Sequence, residues 1–215
     1  MGNVIEDIEA TLGIEDVIPD SGVPGIFERI AGQLEEWSGR KETDPSMLET
    51  LAEYWDSVGW SGWAGDTSIP WSAAFVSWIQ GGDFPGASSH RKYVQSIVDG
   101  EAPDWIAVSI PKNEDRIRLN PGDVLVKPRP GGWGNSHGAV VWKVEGGKAD
   151  LVGGNVSNTA KIEASINVDQ EGRLLNGAAP YLVVLKKKRS GVSKTAIGLG
   201  ILIAVGVYAY RLRRA

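Results

Sequence analysis

Apolar residues recur every three to four positions through the first part of the chain, the spacing of helices with one buried face. The pattern predicts helices over residues 3–12, 25–38 and 45–58. The apolar stripe of the second helix consists of Ile26, Ile30, Leu34 and Trp37. The stripe of the third consists of Leu48, Leu51, Ala52 and Trp55. Helices that pack against a common core are therefore expected here.

From Pro121 onward the pattern changes to short apolar or alternating runs, separated by Gly, Asn and Pro. Such runs are typical of the strands of an antiparallel sheet. The predicted strands are residues 123–127, 138–145, 149–152, 161–168 and 181–187. Helices followed by strands predict an α+β fold.

A third pattern occupies residues 195–210, an uncharged and mostly apolar run between Lys194 and Arg211. As a helix it would span about 24 Å, against about 30 Å of bilayer hydrocarbon, and the flanking cations would reach the interfaces. We predict a C-terminal apolar helix that anchors the protein in a membrane. The alternative is a hydrophobic helix buried in a large assembly.

Charge separates the body of the chain from its end. Residues 186–215 hold eight basic and no acidic residues, which leaves 14 basic and 27 acidic residues in the first 185. An acidic body argues against nucleic-acid binding, which depends on clustered Lys and Arg. The first residues lack the basic and apolar regions of a signal peptide.

The absence of cysteine excludes disulfides, thiolate catalysis and cysteine-based zinc sites. The sequence also shows no phosphate-binding glycine loop and no metal-ligand constellation. No metal and no cofactor are therefore predicted.

Residues 70–78, Pro-Trp-Ser-Ala-Ala-Phe-Val-Ser-Trp, are the most informative segment for function. A helix that starts near Ile69 would place Pro70 and Ser72 in its first turn. Free backbone amides at that end favour a developing anion. The spacing alone favours a simpler interpretation, in which Ser72 makes a local capping hydrogen bond.

Three later segments point to chemistry at Ser72. They are Leu119-Asn-Pro-Gly-Asp-Val-Leu-Val, Ser136-His137-Gly138-Ala139-Val140-Val141 and Val152-Gly-Gly-Asn155-Val. These three segments, with the Trp-Ser-Ala-Ala-Phe run, are similar in kind and order to elements of the NlpC/P60 and CHAP papain-like cell-wall hydrolases. The Trp-Ser-Ala-Ala-Phe run, the segment Ser88-Ser89-His90 to Tyr93 and the Gly-Gly-Asn-Val stretch resemble the DUF2272 family. The resemblance covers about residues 45–187.

The resemblance implies a papain-like domain at residues 45–188, after an N-terminal helical extension (1–44) and before a basic linker with the apolar helix (189–215). It implies that Ser72 attacks a carbonyl carbon, His137 takes its proton and Asn155 fixes the imidazole tautomer. Asp150 is a second candidate for orienting His137. In these families the nucleophile is usually a cysteine, which a serine replaces here.

Four further residues are candidates for substrate binding: Trp63, Trp71, His90 and Trp133. Trp60 lies in the same Gly-rich loop as Trp63. Ordinary packing is the alternative for each tryptophan, and a structural role is the alternative for His90.

Two functions follow as hypotheses. One is a peptidoglycan amidase or endopeptidase, associated with a phage virion and acting in cell-envelope penetration, with wall peptide as its substrate. The other is an inactive structural or binding protein of a virion or membrane assembly, because a serine hydroxyl is a far weaker acid than a thiol. Partners would be the membrane through residues 195–210, virion proteins or a second copy. The predicted location is the membrane or the virion.

Overall fold

The computed structural model describes residue 23 and residues 25–63, 65–113, 116–175 and 180–188. The helix predicted at residues 3–12 and the apolar segment at residues 195–210 lie outside the described residues. Within the described part of the chain, no helix has the length and apolar character needed to cross a membrane.

The order of helices and strands differs from the predicted order, because one strand lies between helices in the first part of the chain. The helices are α1 (Ile26–Glu36), α2 (Leu48–Asp56), α3 (Ser72–Gln80), α4 (His90–Val98) and the short α5 (Ile110–Asn113), with a 3-10 turn at Pro45–Met47. The strands are β1 (Trp105–Ser109), β2 (Val124–Arg129), β3 (Gly132–Glu145), β4 (Lys148–Gly153), β5 (Lys161–Asn167) and β6 (Val183–Lys187). Helix α4 and strand β1 were not predicted.

The six strands form one sheet in the order β1-β6-β2-β3-β4-β5, and every neighbouring pair is antiparallel. The predicted α+β class is therefore confirmed. Strand β1 joins the edge by pairing with β6, so a segment from the helical part completes the sheet.

Both faces of the central strands are buried, because successive side chains point to opposite faces of a sheet. On one face, residues including Val124, Val126 and Val140 pack against helices α1 to α4. On the other, Leu125 and Val141 pack under the segments around residues 117–119 and 168–174. The sheet is thus the middle layer, and one face of it carries the helices.

Helix starts differ from the predicted ones. Helix α3 begins at Ser72 and not near Ile69, with Trp71 as the residue before it. The 3-10 turn places Met47 in the core, whereas Leu48 is 44% exposed, so the prediction that Leu48 faces the core is wrong. The tighter turn rotates the start of α2 relative to a continuous helix.

The segment before residue 45 shares the core of the rest of the domain. Arg29 on α1 donates from Nε to the carbonyl of Ile79 at 2.6 Å, at the end of α3. Trp71 donates from Nε1 to the buried carboxylate of Glu42 at 2.6 Å and stacks on Trp37 with 4.7 Å between ring centroids. These contacts fix the residue that precedes Ser72.

The Pro-Gly-Asp segment before β2 has a structural explanation. Asp123 is fully buried, accepts a hydrogen bond from the backbone amide of Asn120 at 2.8 Å and pairs with the fully buried Lys186 on β6. The carboxylate thus holds the turn and ties it to the sheet.

Candidate functional site

Ser72 lies in the first turn of α3, a helix buried on nearly all sides between the sheet and helices α1 and α2. Its Oγ is 2.8 Å from Nε2 of His90, the first residue of α4. The other ring nitrogen of His90, Nδ1, is hydrogen-bonded to the hydroxyl of Tyr93, one helical turn later. We call Ser72, His90 and Tyr93 the helix chain.

The helix chain is uncharged near neutral pH. Burial, together with the charges of His137 and Arg129, lowers the pKa of His90 well below its ordinary value near 6.5. Burial likewise raises the pKa of the Tyr93 hydroxyl. Ser72 and Tyr93, the two groups hydrogen-bonded to His90, are both uncharged, so they would stabilise an imidazolium poorly.

A second buried group of polar side chains comes from the sheet. Nε2 of His137 on β3 lies 2.5 Å from Oε2 of Glu163 on β5. The other carboxylate oxygen, Oε1, accepts hydrogen bonds from the Tyr181 hydroxyl and from Lys127 Nζ, the latter at 3.1 Å. We call His137, Glu163, Lys127 and Tyr181 the strand chain.

The strand chain is built around a carboxylate. Burial raises the pKa of Glu163, but the hydrogen bond and charge of His137 oppose it. With the hydrogen bond from Tyr181 and the charge of Lys127 added, the pKa falls to about 2. Because an ionised carboxylate only accepts hydrogen bonds, Nε2 of His137 carries a hydrogen.

The two chains meet at their imidazole rings. The ring centroids of His90 and His137 are 5.6 Å apart, with an interplanar angle of 66°. Nδ1 of His137 is buried and has no hydrogen-bond partner among the described residues. The site therefore contains a hydroxyl, a neutral imidazole, and a second imidazole with one nitrogen available.

Two glycines allow the chains to approach. A Cβ at Gly138 would lie 2.6 Å from the Tyr93 hydroxyl and 2.7 Å from His90 Nδ1. A Cβ at Gly153 would lie 2.3 Å from Glu163 Oε2. Real Cβ contacts are longer than these distances. A side chain at Gly138 would therefore displace the helix chain, and a side chain at Gly153 would displace the strand chain. Gly138 and Gly153 thus explain part of the His-Gly and Gly-Gly motifs.

The orienting partner of His137 differs from the expectation. Glu163 occupies the place that was expected for Asn155 or Asp150. Asn155 lies in the loop after β4 with a left-handed backbone (φ 56°), and the Asp150 side chain pairs with Ser165. The absent side chain at Gly153 lets the carboxylate of the next strand reach His137 instead.

Ser72 is hydrogen-bonded to His90 and not to His137, so the expected nucleophile–base contact is replaced in this structure. The sequence contained a signal for one contact of the helix chain, because His90 and Tyr93 are three residues apart and would lie on the same face of a helix. Glu163 gave no comparable signal, because its position in an alternating strand is typical of a solvent-facing residue.

The aromatic candidates fall into two groups. Trp71 is 2% exposed and belongs to the core, so it does not line a groove. Trp63 is 39% exposed, and its ring lies 4.6 Å from that of the partly buried Trp60, which stacks on Trp55. Trp133 is partly buried on β3, before His137. His90, expected beside the substrate, is buried against Ser72.

Other ligand features are limited in the described residues. They contain no group of three or more His, Cys, Asp and Glu side chains placed to hold a metal ion. A cavity of about 380 Å³ lies at the opposite end of α3 from Ser72, lined in part by Ser77, Trp78 and Gly81.

Comparison of the chain with family models, with curated proteins and with solved structures gave no match in any of the three.

Proposed function

We propose that this protein is a serine-dependent hydrolase of papain-like architecture that cleaves amide bonds in peptidoglycan peptides, as an amidase or an endopeptidase. The observation that carries the proposal is the hydrogen bond of 2.8 Å between Ser72 Oγ and an uncharged imidazole, at the start of a buried helix. Acyl transfer from a serine requires a base within reach of the hydroxyl and a group that orients the base. The imidazole–carboxylate pair of His137 and Glu163 lies beside the imidazole that holds Ser72.

His137 is the better proton acceptor of the two histidines. A proton taken by His137 forms an imidazolium that is already paired with Glu163 at 2.5 Å. A proton taken by His90 would leave an imidazolium whose Nδ1 is bonded to the neutral Tyr93 hydroxyl, in a buried environment that lowers the pKa of His90. The carboxylate thus has the role that the third residue has in a serine triad: it orients the imidazole and stabilises its charged form.

The reaction then proceeds through an acyl-enzyme. Ser72 Oγ attacks the carbonyl carbon while its proton passes to Nδ1 of His137. First-turn amides of α3, which have no partners within a helix, favour the oxyanion. His137 returns the proton to the leaving amine as the C–N bond breaks. Water then attacks the ester by the same route.

The order of elements supports the papain-like part of the proposal. The serine begins a buried helix, the Pro-Gly-Asp turn leads into β2, and the histidine follows on β3 of an antiparallel sheet. The substrate class rests on the sequence resemblance. The exposed Trp63 next to Trp60 supports it, because aromatic rings suit sugar and peptide surfaces.

A role in a phage virion and a membrane anchor at residues 195–210 belong to the same proposal. Liposome flotation tests the anchor: the full-length protein floats with the vesicles, and a chain that ends at Lys188 stays in solution. Equal behaviour of both would contradict it.

The alternative, a binding or structural protein without catalysis, is favoured by one observation. Ser72, His90 and His137 are each only 2–3% exposed, and a substrate carbonyl must reach the first of them. Reaction with a serine-directed probe distinguishes catalysis from a purely structural role.

A fluorophosphonate probe tests the nucleophile without knowledge of the substrate, because it bonds covalently to an activated serine oxygen with loss of fluoride. We expect labelling of the full-length protein at Ser72, identified by mass spectrometry, and solubilisation of purified peptidoglycan. Ser72→Ala should lose both. Ser77→Ala, a buried serine of the same helix that bonds the carbonyl of Ala73, is the matched control and should keep both. Failure of the unchanged protein to react in either assay would favour the structural alternative.

A further inference from the structure

Residues 37–42 contact the residue before Ser72 from outside the part of the chain that resembles the cell-wall hydrolases. Glu42 is 5% exposed, and its carboxylate accepts the hydrogen bond of 2.6 Å from the indole of Trp71. The rings of Trp37 and Tyr54 stack on that indole, with centroid distances of 4.7 Å and 5.7 Å. Stacking alone would allow the indole to slide or turn in its plane, so the hydrogen bond to the carboxylate fixes its rotation.

The position of Trp71 determines how helix α3 starts. Trp71 is the residue before the helix, and its carbonyl accepts a helical hydrogen bond from the amide of Phe75 at 2.9 Å. Ser72 follows directly, and its Oγ lies 2.8 Å from Nε2 of His90. A change in the orientation of Trp71 would therefore move the hydroxyl relative to the imidazole.

The same segment also holds the loop that follows β4. Asn155, Ser157 and Asn158 have left-handed backbones with φ of 56–66°, which residues other than glycine adopt rarely. The amide of Glu42 donates to the carbonyl of Asn158 at 2.9 Å, and Lys41 Nζ donates to the carbonyl of Ser157 at 2.8 Å. Residues in such conformations persist only where the surrounding structure fixes them, and they cluster at functional sites.

The loop and the start of α3 also contact each other. A Cβ at Gly154, the first residue after β4, would lie 2.5 Å from Cβ of Phe75 and 2.8 Å from Cζ3 of Trp71. Gly153, one residue earlier, makes the close approach to Glu163. Residues 37–42 thus brace the start of α3 and the loop that adjoins the strand chain.

We propose that Glu42 is a positioning residue for Ser72 and acts through Trp71. The carboxylate fixes the rotation of the indole, the indole fixes the start of α3, and the start of α3 fixes the place of the Ser72 hydroxyl beside the imidazoles. The inference rests on the proposed function and deepens it, because it extends the catalytic unit to residues before position 45.

The rate of fluorophosphonate labelling of Ser72 in the full-length protein tests this role. Glu42→Leu leaves the indole without its acceptor, and we expect labelling to slow at least about 10-fold, because a misplacement of about 1 Å can cost about 100-fold. Glu42→Gln keeps an acceptor and should label within about 3-fold of the unchanged protein. Asp83→Leu is the matched control, since Asp83 also accepts an indole hydrogen bond, from Trp105 at 3.3 Å, and it should label at the unchanged rate.

A double variant separates positioning from a general loss of structure. Trp71→Phe removes the donor, so Glu42→Leu combined with Trp71→Phe leaves neither group of the pair unsatisfied. The combination should therefore cost less free energy of unfolding than the two single changes added together. The folded double variant, checked by circular dichroism, should still label as slowly as Glu42→Leu, and it carries the test where Glu42→Leu alone does not fold.

Three outcomes would overturn the inference and leave the proposed function standing. They are labelling of Glu42→Leu at the unchanged rate, labelling of the double variant at the unchanged rate, and a Glu42→Gln variant as slow as Glu42→Leu. Absence of labelling in the unchanged protein would overturn the proposed function and the inference together.

Discussion

The helix chain and the strand chain show two ways to bury polar groups next to each other. The helix chain contains no charge and is joined by two neutral hydrogen bonds. The strand chain surrounds one carboxylate with an imidazole, a phenol and an ammonium group. The difference separates the roles of the two histidines: a buried imidazole accepts a proton readily only where a counter-charge is already in place.

The largest expected difference between the chains lies in their response to acid. The pKa of Glu163 is lowered from 4.5 to about 2. Below pH 4.5 the unfolded protein binds a proton that the folded protein does not, so stability falls from pH 4.5 to about pH 2. The lowering corresponds to a loss on the order of 3 kcal/mol.

His90 affects the stability of the protein at higher pH than Glu163 does. Its folded pKa is also lowered, so the unfolded protein takes up a proton below pH 6.5 and stability begins to fall there. Urea unfolding from pH 7 to pH 2 measures both windows. Glu163→Gln should remove the lower loss and His90→Gln the upper one. A single loss that is unchanged in both variants would contradict the separation of the chains.

Substitution of Gly138 or Gly153 should displace the helix chain and the strand chain separately. We expect Gly153→Ala to separate His137 from Glu163, and Gly138→Ala to displace His90 and Tyr93, because the new Cβ meets them at 2.3–2.7 Å. Each change should lower the free energy of unfolding by about 2 kcal/mol, the usual cost of overpacking. Gly134→Ala, also on β3 but with nothing within 4 Å of its Cβ, is the matched control.

The two alanine variants should also differ in the pH range over which stability is lost. Gly153→Ala should remove the acid loss between pH 4.5 and pH 2 and leave the upper window, and Gly138→Ala should do the reverse. If the two alanine variants had the same pH profile, the chains would not be independent.

The smallest effects are expected within the strand chain itself. Tyr181→Phe removes a hydrogen bond to a buried carboxylate and should lower stability by about 1.5 kcal/mol. Lys127 contacts the same oxygen, but its side chain is 23% exposed, so Lys127→Met should cost only about 0.5 kcal/mol. Chemical denaturation at pH 7 measures both. The opposite order would show that charge and not hydrogen bonding holds Glu163.

Most of the secondary structure could be predicted, because burial of one face imposes a period on the sequence. The predicted strand at residues 149–152 is one residue shorter than β4 at each end, and the one at residues 161–168 is one residue longer than β5 at its end. The predictions missed α4 and β1. Both lie in the part of the sequence before the predicted strands, and β1 pairs with β6 at the edge of the sheet. The predictions placed Leu48 in the core because a 3-10 turn shifts the helical period without a clear signal.

The candidate site was only partly predictable for a different reason. Ser72 and His137 stand in motifs with local order along the chain, so the sequence identifies them. Glu163 is 26 residues from His137 and reaches it across β4. Asn155, the expected partner, lies in the loop after β4 with a left-handed backbone, and it is not hydrogen-bonded to the ring of His137.

The amino-acid sequence was sufficient to predict the α+β class, the position of Ser72 in the first turn of a helix and the two histidines as candidate bases. Local periodicity and motif order are sufficient for these, because they concern neighbouring residues. The contact of His90 with Ser72 and that of Glu163 with His137 are visible only once the chain is folded. Those pairings depend on strand order, on helix packing and on the space left by Gly138 and Gly153, which bring together residues that are distant along the chain.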